Sequence, residues 1–193
     1  MKSICVFAGS NAGTRDEYLA GASELGRVLA RRGIGVVYGG ARVGLMGALA
    51  DSALAQGGRV IGVMPEALVA KEVAHRGLTE LRVVKSMHER KAMMSDLSDG
   101  FVALPGGFGT LEEFFEVLTW AQLGLHRKPC ALLDVQGYFK GLLSFVDHAI
   151  AEGFVRREYR SMICVADSPD ALLDAMAAYR PPVVQKWIER AQT

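Results

Sequence analysis

The sequence predicts an α/β chain: a single-domain, Rossmann-like, doubly wound and mainly parallel sheet with helices on both faces. Three observations predict it. Short apolar, β-branched runs alternate with helical stretches along the whole length. The runs are continuously apolar rather than alternating, which implies strands buried on both faces. Glycines cluster where strands hand over to helices, the place at which such sheets bind ligands.

The elements follow in order. Ile4 to Ala8 is a strand that stops at Gly9-Ser10-Asn11, and a helix from Thr14 to Arg32 closes on Gly33. A strand over Gly35 to Tyr38 leads into a helix from Leu45 to Gln56 that ends at Gly57-Gly58. Strands follow at Val60 to Met64 and Leu81 to Val84, then a helix from Met87 to Leu97 and the turn Asp99-Gly100. Phe101 to Leu104 is a strand, Thr110 to Gly124 a helix, Ala131 to Asp134 a strand and Tyr138 to Gly153 a helix. A last strand at Met162 to Val165 feeds a helix from Pro169 to Tyr179. Pro181-Pro182 then breaks the chain before a helical tail over 183–193, whose segment Val184 to Ala191 carries Trp187 and is expected to pack back on the body. Nothing reads as a linker, repeat or low-complexity tract, so residues 1–193 form one domain.

Composition narrows the function. With 22 Lys plus Arg against 21 Asp plus Glu, the net charge of +1 creates no field that would gather nucleic acid or an anionic membrane. The partner is a small molecule. No apolar run approaches the roughly 18 to 20 residues of a membrane span, and the first one reads as a strand rather than a signal peptide. Cys5, Cys130 and Cys164 are odd in number and lack CxxC spacing, so they read as buried thiols in a reducing cytoplasm. His75, His88, His126 and His148 fall in separate segments without metal-ligand spacing, and no metal is expected.

Three strand ends carry glycines: Gly9 to Gly13, Gly39 to Gly47, and Pro105-Gly106-Gly107-Phe108-Gly109-Thr110. The last opens a long helix. Its backbone N–H groups and the positive helix end suit a phosphate, with Thr110 as a candidate N-cap. A merely structural tight turn is the alternative. No Gly-Lys-Ser/Thr follows, which disfavours a nucleoside triphosphate loop. A dinucleotide fingerprint is closer, with Asp134 as a ribose-binding acid, but Glu112 stands where its third glycine belongs.

Glu112, Glu113 and Glu116 crowd the first turns of that helix. Acids there gain from the helix dipole, yet the helix is so apolar elsewhere that some of them must be buried or at an interface. Glu112, Glu116 and Thr119 share one stripe and Glu113 projects about 100° away, so spacing alone does not choose between them. Arg90 and Lys91, near the start of the preceding helix, can reach the same crevice or form a solvated face.

The run Met87-His88-Glu89-Arg90-Lys91, then Pro105-Gly106-Gly107-Phe108-Gly109-Thr110-Leu111-Glu112-Glu113, then Thr119 to Gly124, closely resembles the Lonely Guy family of cytokinin riboside 5′-monophosphate phosphoribohydrolases, formerly labelled lysine decarboxylases. The resemblance extends from Phe7-Ala8-Gly9-Ser10 to Gly141-Leu142-Leu143-Ser144-Phe145. It departs at Ala8, Asn11 and Ala41, where cysteine, serine and glycine are common. The resemblance implies hydrolysis of the N-glycosidic bond of adenine-type nucleoside 5′-monophosphates to free base and ribose 5-phosphate. It implies Arg90 and Glu113 as catalytic residues, with Glu112 the alternative to Glu113. Substrate contacts implied are Glu72, Arg90, Lys91, Gly107, Phe108, Gly109, Thr110, Leu111, Glu112, Glu113 and Thr119. No metal or organic cofactor is implied. A cytoplasmic homodimer is expected, with a hexamer as the alternative; the apolar surfaces of the Met87 and Thr110 helices also exceed what one sheet face needs.

Two other functions fit the pattern less well. A non-hydrolytic AMP sensor would use the same loop without turnover. Lysine decarboxylation needs pyridoxal phosphate on a lysine, and none of Lys2, Lys71, Lys85, Lys91, Lys128, Lys140 and Lys186 stands as an evident buried strand-end residue.

Overall fold

The computed structural model describes residues 1–69 and 74–182. Seven strands form one sheet: β1 (Ser3–Phe7), β2 (Gly35–Tyr38), β3 (Val60–Pro65), β4 (Glu80–Val84), β5 (Phe101–Ala103), β6 (Cys130–Leu133) and β7 (Ile163–Ala166). Every pairing is parallel, in the order β4-β3-β2-β1-β5-β6-β7. The helices are α1 (Asp16–Arg31), α2 (Gly44–Ala55), α3 (Glu66–Val69), α4 (Met87–Asp96), α5 (Phe108–Gln122), α6 (Lys140–Ala151) and α7 (Pro169–Ala178).

Burial on both faces explains the unbroken apolar strands. Ile4 and Val6 of β1 point with Tyr38 into a core covered by Leu25 and Leu29 of α1, Leu49 of α2 and Leu172 of α7. Their neighbours Cys5 and Phe7 enter the opposite core, under Met94 of α4, Phe114 and Val117 of α5 and Val146 of α6. Among the described residues no helix is long and apolar enough to cross a membrane.

The elements depart from expectation at their ends. Helix α5 begins at Phe108, two residues before Thr110, because Gly107 is extended (φ −89°, ψ −154°) and itself serves as N-cap. Thr110 is therefore inside the first turn and caps nothing. The helix expected from Tyr138 starts at Lys140, after a 3₁₀ turn over Val135–Gly137. A second 3₁₀ turn, Arg157–Met162, delays β7 by one residue. The single turn α3 is too short to have left any periodicity in the sequence. Cys5 and Cys130 are buried as expected, whereas Cys164 is only half-buried; all three are free thiols. The tail over 183–193, with Trp187, lies outside the described residues.

Candidate active site

Strand β1 has β2 on one side and β5 on the other, so the chain leaves it in opposite directions and the loops beyond its carboxyl end part. A cavity of about 470 Å³ opens there. Its walls are the Gly9 to Gly13 loop, Leu45 and Met46 at the start of α2, the Pro105 to Thr110 loop, and the side chains of Arg90, Glu113 and Tyr138. Backbone bonds lace the loops together: Gly9 N–H donates to Pro105 O at 3.1 Å, and Leu45 N–H donates to Gly9 O at 3.1 Å. Gly44 has φ +57° and lies so close to the Ser10 backbone that a Cβ would overlap it.

The Gly107 end of α5 faces this cavity. The first intrahelical donor is Leu111 N–H, 3.1 Å from Gly107 O. The N–H groups of Gly107, Phe108, Gly109 and Thr110 therefore have no acceptor within the helix, an arrangement that favours an anion. Thr110 is buried with its hydroxyl against Gly106, filling the space that a Cβ there would need. Phe108 is 94% exposed at the cavity mouth.

Opposite stands Arg90. Helix α4 is started by Ser86, whose Oγ accepts from Glu89 N–H at 3.1 Å, while the Glu89 carboxylate accepts from Lys85 N–H at 2.7 Å. This reciprocal cap sets where α4 begins. Arg90 then lies one turn in, its Nε donating to Val63 O at 3.1 Å and its Nη1 3.0 Å from Glu113 Oε1. Nη2 occupies the space that a Cβ on Gly39 would take. Both side chains of the pair are only 11% exposed. Burial raises the Glu113 carboxyl above the ordinary carboxylate range; Arg90 opposes the shift and nearby Glu112 adds to it.

The residues singled out from the sequence thus divide. Arg90, Gly107, Phe108, Gly109, Thr110 and Glu113 come together around the cavity. Lys91 turns to the outer side of α5, with Nζ 2.6 Å from Glu112 Oε1 and 2.9 Å from Glu116 Oε1. Burial alone would pull its pKa down, but the hydrogen bonds to the two carboxylates prevail and hold it up. Thr119 is exposed further along the same stripe, and Leu111 packs against the apolar core. Glu72 lies outside the described residues. Asp134 accepts from Phe139 N–H at 2.7 Å, so its carboxylate shapes a turn. Tyr138 was not anticipated in the site. Its only signal was a position just past a strand end on the sheet edge that holds the glycine loops.

Among the described residues no three His, Cys, Asp or Glu side chains gather as a metal site would.

The family model described as possible lysine decarboxylase matches residues 46–176. A cytokinin riboside 5′-monophosphate phosphoribohydrolase of Rhodococcoides fascians is 53% identical over 182 residues, covering 94% of this chain and 90% of that protein. One of Arabidopsis thaliana is 48% identical over 180 residues, covering 93% and 84%. Among solved structures, the molybdenum cofactor carrier protein of Chlamydomonas reinhardtii is 24% identical with a TM-score of 0.69, covering 92% of this chain and 96% of that one. The molybdenum cofactor binding protein of Rippkaea orientalis is 23% identical with the same score, covering 92% and 97%. The solved structures share the fold; the two enzymes share half of all aligned residues over nearly the whole chain, and the chain belongs to their family, the Lonely Guy phosphoribohydrolases whose model still carries the lysine decarboxylase description.

Proposed function

We propose that this enzyme hydrolyses the N-glycosidic bond of adenine-type nucleoside 5′-monophosphates, AMP and N6-substituted cytokinin riboside monophosphates, to free base and ribose 5-phosphate. The observation that carries the reading is the buried Arg90–Glu113 pair beside an anion-binding helix end. The phosphate sits on the N–H groups from Gly107 to Thr110, with the glycines allowing close approach. This remote grip supplies binding energy that is used at the sugar.

Breaking a ribosyl bond builds oxocarbenium-like charge on the sugar while the base departs with the bonding electrons, as in glycoside hydrolysis. The Glu113 carboxylate stabilises that cation and accepts a proton from the attacking water, while the departing base takes up a proton from solvent, so that free base and ribose 5-phosphate result. Raised by burial, it is a better base than a solvated carboxylate. Arg90 keeps Glu113 ionised and fixes the ribose, a positioning role. No step calls for a metal or an organic cofactor.

Of the remaining contacts that the resemblance implies, Lys91, Leu111, Glu112 and Thr119 do not line this cavity and Glu72 lies outside the described residues, so this reading rests on Arg90, Glu113 and the Gly107 to Thr110 loop. A homodimer, or a hexamer, would enclose the apolar surfaces of α4 and α5 that exceed what one sheet face needs. The three free thiols fit a reducing cytoplasm.

The test is to incubate metal-free protein with AMP and with isopentenyladenosine monophosphate and follow free base by chromatography, beside Glu113→Gln and Arg90→Ala. Base release lost in both variants supports the reading. Intact nucleotide in every tube, despite measurable binding, would make the protein a sensor.

A further inference from the structure

Tyr138 lines the same cavity as the catalytic pair, and its Oη donates a hydrogen bond to the Gly106 carbonyl oxygen at 2.6 Å. Gly106 C=O and Gly107 N–H belong to the same planar peptide, and in the trans form they point opposite ways. Holding the carbonyl therefore fixes the direction in which Gly107 N–H is presented. That N–H is the first of the four without an acceptor in α5.

The phenol is itself held. Its ring is edge-on to Tyr18 with centroids 5.6 Å apart, and edge-on to Phe139 at 5.0 Å. Tyr18 in turn packs against Gly13, where a Cβ would stand 2.7 Å from its ring. Tyr138 thus ties the loop after β1 to the loop after β5, the two loops that flank the divergence of the chain.

The backbone that delivers it is strained. Gln136 has φ +54°, the only positive φ on a residue other than glycine among the described residues, and Gly137 follows at +70°. Left-handed backbone is disfavoured for a residue with a Cβ. The turn is locked by Asp134 Oδ1 on Phe139 N–H. Strain that surrounding structure sustains next to a cavity is a mark of a positioned group.

We propose that Tyr138 is a positioning residue for phosphate recognition: its phenol orients the Gly106–Gly107 peptide so that the glycine loop receives the 5′-phosphate. It touches neither the sugar nor the base. The proposal rests on the reading that this loop holds the phosphate.

Tyr138→Phe tests it, since only the hydroxyl is removed and the ring contacts remain. The KM for AMP is expected to rise about 3- to 10-fold, the worth of one hydrogen bond, with kcat within about twofold. Calorimetry should show affinity for ribose 5-phosphate falling by the same factor, while affinity for adenosine stays as in wild type. An unchanged KM for AMP, or an equal loss for adenosine and AMP, overturns the role assigned to Tyr138 and leaves the phosphate loop intact. Wild-type protein that binds ribose 5-phosphate no better than ribose overturns the loop reading itself, and this proposal with it.

Discussion

Arg90 Nη1 and Glu113 Oε1 are 3.0 Å apart, and the guanidinium can stand there only because residue 39 is glycine. Three distant segments thereby cooperate in one ion pair: the end of β2, the second turn of α4 and the first turns of α5.

Glu113→Gln keeps the shape of the side chain and removes its charge. Turnover should fall by ~10²- to 10⁴-fold, the usual contribution of a general base. The variant also leaves Arg90 buried without its counter-charge, which should lower the melting temperature as well. Steady-state kinetics and a thermal melt of the same preparation check both; wild-type turnover would remove Glu113 from the mechanism.

Gly39→Ala should act through Arg90 without touching substrate. The new methyl claims the place of Nη2, and a guanidinium displaced by about 1 Å is expected to reduce kcat by ~10²-fold. Kinetics on protein shown by circular dichroism to be folded decide it, and unaltered kcat would mean that the location of Arg90 is immaterial.

The pH profile should report the neighbourhood of Glu113. Burial first raises its pKa, Arg90 lowers it, Glu112 raises it further and Lys91 lowers it. Glu112→Gln removes the like charge and releases Lys91 from one of its two carboxylates. Both changes favour ionised Glu113, so the acid limb of kcat/KM should move to lower pH. A shift to higher pH contradicts this electrostatic assignment.

His126 sets an acid limit on stability. Its Nε2–H donates to Val117 O at 2.8 Å and its Nδ1 accepts from Lys128 N–H at 3.1 Å, so the neutral ring satisfies both partners. Burial pulls its pKa down to about 4. Between the ordinary histidine value, roughly 6.5, and that depressed value, the unfolded chain binds a proton that the folded chain refuses. Stability from this residue is complete above the unfolded value and declines as pH falls toward 4, by ~1 to 3 kcal/mol. Urea midpoints at pH 7.5 and 5 should differ in that direction, and less so in His126→Gln.

Gly26 should prove irreplaceable for packing alone. A Cβ there would run into the Leu49 carbonyl where α1 crosses α2. Gly26→Ala is expected to cost about 1 to 3 kcal/mol by overpacking, read as a lower urea midpoint with kcat per folded molecule unchanged.

The inner strands were legible because doubly buried strands must be apolar without interruption, as in Ile4-Cys5-Val6-Phe7, whereas the half-buried edge strands β4, with Glu80 and Arg82, and β7 were legible only from short β-branched runs between helices. Glycine loops and the helix end were legible for a similar reason, since backbone N–H chemistry needs particular residue types. Side-chain direction was not. Arg90 and Lys91 are adjacent in sequence, yet one enters the cavity and the other binds Glu112 and Glu116 on the far side of α5. That choice follows from the rotation of α4, which the Ser86–Glu89 cap sets and which periodicity over ten residues does not resolve. Tyr138 was hidden because a two-residue left-handed excursion, not a motif, carries it to Gly106.

Placing β1 between β2 and β5 has a consequence for synthesis of the protein. Residues 35–38 can join β1 early, but its other edge waits for residues 101–103, and the cavity is finished only when Glu113 and Tyr138 have emerged. A ribosome-bound chain about a hundred residues long has one wall of the crevice and no ligand to steady it. The central strand meanwhile exposes an unpaired edge to other nascent chains. Nucleotide in the cell can protect this fold only late, after most of the chain has been made.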